Sequence, residues 1–228
     1  LKFNLVDEED RKRVIDNLAE LLKENDVHLS TGFVGTPYLC QVLTENGYHD
    51  LAYELIQKTD YPSWLYQVTK GATTIWEHWD GIKEDGSFWS ADMNSFNHYA
   101  YGSIGDWLYR YVAGINPDID KPGFKHIFIV PHPGEKETGF KYAKASHESM
   151  YGKIVSNWKK ENDFIEIEVE IPENTRATVI LPGTEIDKVQ EDNEKILENV
   201  EGIYSMENRD RGVKLEIGYG NYEFKYQY

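Results

Sequence analysis

Cysteine is almost missing: Cys40 stands alone in 228 residues, so no disulfide can close within the chain. Nothing here asks for an oxidising compartment. The thiol follows the apolar pair Tyr38-Leu39 on a predicted helix with no histidine in register, so packing is expected of it rather than nucleophilic or metal chemistry. Clustered positive charge is missing too. The 40 acidic and 24 basic residues give a formal charge of −16 without a Lys/Arg patch, which excludes nucleic acid as a natural partner. No run approaches the roughly 18 apolar residues of a membrane span. The opening LKFNLVDEEDRKR lacks the basic-then-apolar pattern of a secretion signal. A soluble, cytoplasmic protein without a membrane partner is expected. The chain starts without Met and enters a helix almost at once, as a fragment or processed product does.

Missing motifs narrow the chemistry further. There is no GxSxG elbow, no Walker loop and no GxGxxG fingerprint. His28, His49, His78, His98, His126, His132 and His147 form no HExxH, HxH or Cys/His pattern, so neither zinc nor another cofactor is expected. The run Asp80-Gly81-Ile82-Lys83-Glu84-Asp85-Gly86 is acidic, but it lacks the ligand alternation and closing glutamate of a calcium loop. Solvated turn carboxylates are expected there. What remains is carboxylate-plus-aromatic chemistry, which points toward glycosides.

That chemistry is concentrated in GATTIWEHWDG, Gly71 to Gly81, where one carboxylate, Glu77, sits between two indoles. Aromatic neighbours limit its solvation, Thr73, Thr74 and His78 offer hydrogen bonds that would orient it, and indole faces stack on sugar C–H faces. The structural alternative is an amphipathic turn with Trp76 and Trp79 in the core and Glu77 in solvent; spacing alone does not separate the two. His98, in SFNHYAYG, is the histidine placed to face a cleft and donate to a ligand hydroxyl, with a satisfied core or capping histidine as the alternative.

The chain divides by periodicity. Asp7 caps a helix that runs to about Glu24, with Val14, Leu18, Leu21 and Leu22 on one face. Thr36-Pro37 opens a helix over 37–46, and Asn46-Gly47 stops it. Another follows Asp50 and ends before Tyr61-Pro62, making a helical hairpin. Residues 61–97 read as mostly loop with at most one short helix, around Thr74 to Trp79, and helicity returns from about Ser95 to Ala113. After a linker near 114–124, seven period-2 runs follow: Lys125–Val130, Phe140–His147, Lys153–Lys159, Phe164–Ile171, Ala177–Leu181, Val213–Ile217 and Tyr222–Tyr226. They predict an antiparallel β-sandwich. Glu185 to Glu201 reads as loop with possible helix. The class is therefore α followed by β, in two domains.

HLSTGFVGTPYL (28–39), YPSWLYQVTKGATTIWEHWDG (61–81), MNSFNHYAYGSIGDWLYRYVAGI (93–115) and GFKHIFIVPHPG (123–134) together resemble the C-terminal part of the bacterial α-L-rhamnosidases. The resemblance covers most of residues 1 to 160, including SMYGKIVSNW at 149–158. It implies that residues 1–115 belong to an (α/α)6-barrel catalytic domain and residues 116–228 to a trailing β-sandwich, in an enzyme that hydrolyses α-L-rhamnosides with inversion. Glu77 then matches the general base, His98 a histidine lining the rhamnose pocket, and Trp79, with Trp76, the walls beside the base. The family's general acid, a glutamate earlier in the barrel, has no counterpart here. An inverting site needs both groups about 6.5–9.5 Å apart. The implied partners are a rhamnose-containing glycoside and the N-terminal remainder of the enzyme. A non-catalytic sugar-binding or scaffolding module using Trp76, Trp79 and Trp89 is the alternative, as is a barrel glycosidase for another sugar.

Helix faces that a complete barrel would cover are expected to be bare, so the isolated chain should self-associate or need the N-terminal remainder to cover them. Sedimentation velocity showing a clean monomer that excludes an apolar dye would contradict this expectation.

Overall fold

The computed structural model describes residues 1–135, 138–192, 194–195 and 200–227. Two compact units emerge. One comprises Leu1–Trp107 with Gly134–Gly139, the other Leu108–Pro133 with Phe140–Tyr228.

The first unit is helical. Helix α1 (Glu8–Glu24) buries Ile15, Ala19 and Leu22, and carries Glu8, Glu9 and Asp10 in its first turn, where the helix dipole favours carboxylates. Asp7 occupies the cap position but makes no side-chain capping hydrogen bond. Helices α2 (Thr36–Glu45) and α3 (His49–Gln57) form the expected hairpin, with Gly47 at φ 87° in the turn between them. Thr36 is the first helical residue rather than the cap, and its hydroxyl bonds to Thr31. Leu43, Ala52, Tyr53 and Leu55 on these helices are buried, and so is Cys40. Burial pushes the Cys40 thiol up to about 12, so it is inert as a nucleophile. Trp107, at the end of α5 (Ile104–Trp107), donates its indole N–H to Thr44 Oγ1 at 2.9 Å and meets Tyr53 edge-on. Asp50 accepts from Glu135 N at 2.8 Å and Thr138 Oγ1 at 2.7 Å, which ties the excursion around Gly134 to α3.

Two helical expectations are corrected. The short helix lies at α4 (Trp64–Thr69), not at Thr74 to Trp79; Ser63 caps it by accepting from Tyr66 N at 3.1 Å. The Ser95 to Ala113 segment is a 3-10 turn at Ala100–Ser103, then α5, then a π turn at Leu108–Val112. Its first residues pair with residues 75–77 instead of coiling, and its last carbonyls are taken by β-strand side chains described below.

Among the described residues the second unit holds eleven strands: β1 (Ile115–Pro117), β2 (His126–Ile129), β3 (Tyr142–Ser149), β4 (Gly152–Glu161), β5 (Phe164–Ile171), β6 (Arg176–Pro182), β7 (Gln190–Glu191), β8 (Glu194–Lys195), β9 (Ile203–Arg209), β10 (Gly212–Ile217) and β11 (Gly220–Gln227). They form a five-stranded sheet, β1-β2-β6-β10-β9, and a six-stranded sheet, β3-β4-β5-β11-β7-β8. The pairing is antiparallel except for β2 with β6, which is parallel. All seven sequence-read strands are present. Strands β1, β7, β8 and β9 are additional; β1 occupies the stretch read as linker, and β7 and β8 fall where loop or helix was expected. Residues 193 and 196–199 of that acidic stretch lie outside the described residues.

Strand β5 shows why the pattern was readable. In FIEIEVEI, Ile165, Ile167, Val169 and Ile171 are buried while Phe164 and the glutamates alternate outward. The outward Glu166 pairs with Lys225 at 2.6 Å on β11 and Lys159 at 3.5 Å on β4, and its carboxyl lies below the usual range chiefly through the Lys225 bond. On β4, Trp158 donates to Val112 O at 2.7 Å and Ser156 to Ala113 O at 2.6 Å, so the chain leaves its helical course there. Among the described residues no helix is long and apolar enough to cross a membrane.

Gly114 turns the chain at φ 86°, where an added Cβ would stand 2.3 Å from Pro131 N. Gly114→Ala should cost about 3 kcal/mol or more, read as a lower midpoint in a thermal or denaturant melt.

Candidate active site

Glu77 sits in a segment without helix or strand, yet its backbone is held from two sides. Its N–H donates to Ser95 O at 2.9 Å, and Ser95 N–H returns a bond to Glu77 Oε2 at 3.3 Å. His98 N donates to Ile75 O at 2.8 Å, and the Thr74 hydroxyl donates to Phe96 O. Residues 74–77 and 95–98 thus run side by side. This pairing brings the GATTIWEHWDG and SFNHYAYG blocks together.

Helix α4 supplies the other side. The buried Gln67 amide accepts from Trp76 N at 3.3 Å and donates to His78 O at 3.1 Å, bracketing Glu77 from below. Tyr66 donates to Ile82 O at 3.0 Å, and Asn94 and Trp89 both donate to Gly81 O. These bonds replace the intrahelical ladder that Thr74 to Trp79 was expected to make.

The carboxylate itself is partly shielded. Its orienting bond comes from the Ser95 amide, not from Thr73 or Thr74, because the Thr74 hydroxyl serves Phe96. His78 Nε2 lies 4.0 Å from Oε1, and the His78 ring stacks flat on Trp89 at 3.6 Å. Trp76 and Trp79 are 3% and 8% exposed, so both are part of the core. Trp79 stacks on Tyr101 at 3.6 Å and meets Trp64 edge-on, while Trp64 donates to Tyr101 O at 2.9 Å. Trp89 remains 43% exposed.

His98 is half-buried and stacks on Phe33 at 4.8 Å, which in turn leans on Tyr101. Its Nδ1 accepts from Ala100 N at 3.4 Å; that bond places the ring proton on Nε2. An aromatic chain, His98, Phe33, Tyr101 and Trp79, therefore links the two sequence blocks. Ser95, Gln67, Phe33 and Tyr101 were not singled out by sequence reasoning, although each lies inside one of the quoted blocks. In the acidic run, Asp85 Oδ1 accepts from Ser87 N and Oγ, bonds that hold its carboxyl below the usual range.

Residues 1–112 match the bacterial alpha-L-rhamnosidase 6 hairpin glycosidase domain, and residues 114–195 match the bacterial alpha-L-rhamnosidase C-terminal domain. The chain belongs to the bacterial α-L-rhamnosidase family. It is 39% identical over 224 residues to an α-L-rhamnosidase of Streptomyces avermitilis, covering 98% of this chain and 20% of that protein. An α-L-rhamnosidase of Formosa agariphila is also 39% identical, over 228 residues, covering 100% of this chain and 24% of the other. The crystal structure of the Streptomyces avermitilis α-L-rhamnosidase complexed with L-rhamnose superposes with a TM-score of 0.87 at 38% identity, over 98% of this chain and 20% of that one. The α-L-rhamnosidase from Dictyoglumus thermophilum gives 0.83 at 32% identity, over 99% and 24%. This rhamnosidase-family chain thus spans about a fifth to a quarter of the length of its relatives, as a C-terminal fragment, with the helical glycosidase segment followed by the β-sandwich.

Gln67→Leu should leave the Trp76 N–H and the His78 carbonyl without their partner and destabilise the helical unit by about 2–4 kcal/mol. Urea titration followed by tryptophan fluorescence measures this, and an unchanged midpoint would show that the clamp is dispensable.

Proposed function

We propose that this chain is the C-terminal part of an inverting α-L-rhamnosidase in which Glu77 is the general base and His98 and Trp79 belong to the sugar pocket. The observation that carries the proposal is the anchored carboxylate: Ser95 N–H holds Oε2, which leaves Oε1 to orient a water and take its proton. Partial burial of the carboxylate, with the His78 ring stacked on Trp89 beside it, suits a base that must work on one water rather than on bulk solvent. His98, protonated on Nε2, offers a donor to a sugar hydroxyl. The relative complexed with L-rhamnose supports a rhamnoside as the substrate class.

Inversion requires an acid on the opposite side of the scissile bond, about 6.5–9.5 Å from the base, with room for the water. That acid comes from the preceding part of the enzyme, which is the partner this chain needs. Alone, the chain is expected to be inactive.

In the full-length enzyme, Glu77→Gln should lower kcat by about 100-fold to 10,000-fold while KM and the melting temperature stay near wild type, because the amide keeps the shape but cannot accept the proton. NMR of an aryl α-L-rhamnoside digest should show β-L-rhamnose as the first product of the wild type. Near-normal turnover by the variant, or α-L-rhamnose released first, would remove Glu77 from the role.

A further inference from the structure

His28 lies in the loop after α1, and Asp60 in the loop after α3, so neither lies in the segments that hold Glu77. The His28 side chain is only 10% exposed. Its Nδ1 stands 3.3 Å from Asn25 O, and a carbonyl can only accept, so Nδ1 carries the proton. Backbone bonds fix the ring's base: His28 N donates to Asn25 O at 3.0 Å and Asn25 Nδ2 to His28 O at 3.2 Å.

The second ring nitrogen then bears a lone pair. Nε2 is buried and makes no hydrogen bond, yet it stands 3.0 Å from Asp60 Oδ1. Two acceptors at that distance repel unless something positive lies between them. Asp26 adds another carboxylate, with Oδ2 3.8 Å from Nδ1 on the other edge of the ring, and one ligand atom from each of the three residues falls within 4.8 Å of the others.

We propose that Asp26, His28 and Asp60 form a binding site for one divalent transition-metal cation, with Zn²⁺ the best fit. A neutral imidazole nitrogen and two carboxylate oxygens are a zinc donor set, and the nitrogen argues against Ca²⁺ or Mg²⁺, which take oxygen. Zinc bonds of about 2.0–2.2 Å require Asp26 to close inward, which its exposed side chain permits. Lys58 now lies 3.6 Å from Asp26 and is the competing cation; it also reaches Glu54 at 3.9 Å, so it has a partner when displaced. The bound ion would staple the loop after α1 to the loop after α3. Those loops lead, respectively, to Phe33, which stacks on His98, and to α4, which carries Gln67. The site is structural, and it does not depend on the assignment of Glu77.

The test is calorimetric titration of Zn²⁺ into the chelator-treated 228-residue chain at neutral pH, with Co²⁺ substitution to read nitrogen and oxygen ligation from its visible spectrum. One ion per chain and a raised melting temperature are expected. His28→Asn and Asp60→Asn should each weaken binding by at least about 100-fold, since loss of a direct ligand exceeds the cost of losing an outer partner. Asp60→Asn alters an exposed side chain and keeps the test valid if His28→Asn fails to fold. No saturable binding, or binding unchanged in Asp60→Asn, would overturn the site and leave a proton between His28 and Asp60.

Discussion

The hydrogen-bonded contact between residues 74–77 and 95–98 is the constraint on which the candidate site depends. Neither stretch is helix or strand, so neither satisfies its own backbone groups. They satisfy each other: Glu77 N with Ser95 O, Ser95 N with Glu77 Oε2, His98 N with Ile75 O. A carboxylate on a free loop would sample many rotamers. Here the same pairing that closes the backbone also orients the side chain, and structure and chemistry become one requirement.

Support for that pairing comes from rigid elements on the helical side. The α2–α3 hairpin is a packed core, α5 is pinned to it through Trp107 and Thr44, and α4 presents Tyr66 and Gln67 to the irregular segment. Gln67 is the economical part of this design, since one amide side chain meets a donor and an acceptor on either side of Glu77. The aromatic residues add breadth. Trp79 on Tyr101, Phe33 on His98 and His78 on Trp89 are close ring stacks that stiffen the surroundings beyond their buried area.

The β unit follows a simpler logic. Each sheet buries one face, and strands such as β5 alternate strictly because one-residue slips would turn isoleucines outward and glutamates inward. Outward charges pair across strands, as Glu166 does with Lys159 and Lys225. These exposed pairs add little stability singly, but they keep register and cover the sheet with solvated charge.

Wherever a segment's local pattern agreed with its final environment, the sequence alone determined the outcome: α1 to α3, the seven alternating strands, the burial of Cys40 and the family motifs were all legible. Glu77 and His98 were legible as candidates because their motifs are distinctive. Tertiary structure decided the rest. Thr74 to Trp79 has the spacing of a helical turn, but Gln67, Ser95 and Phe96 offer its backbone and side chains better partners than a short helix could. Trp64 to Thr69, rich in aromatic and β-branched residues, has weak helical propensity and becomes helix through the Ser63 cap and burial of Trp64 and Tyr66. Strands β1 and β9 lack a strict alternation and exist because β2 and β10 present unpaired edges to them. The convergence of Asp26, His28 and Asp60 has no sequence signature at all, since it arises only when the ends of α1 and α3 meet.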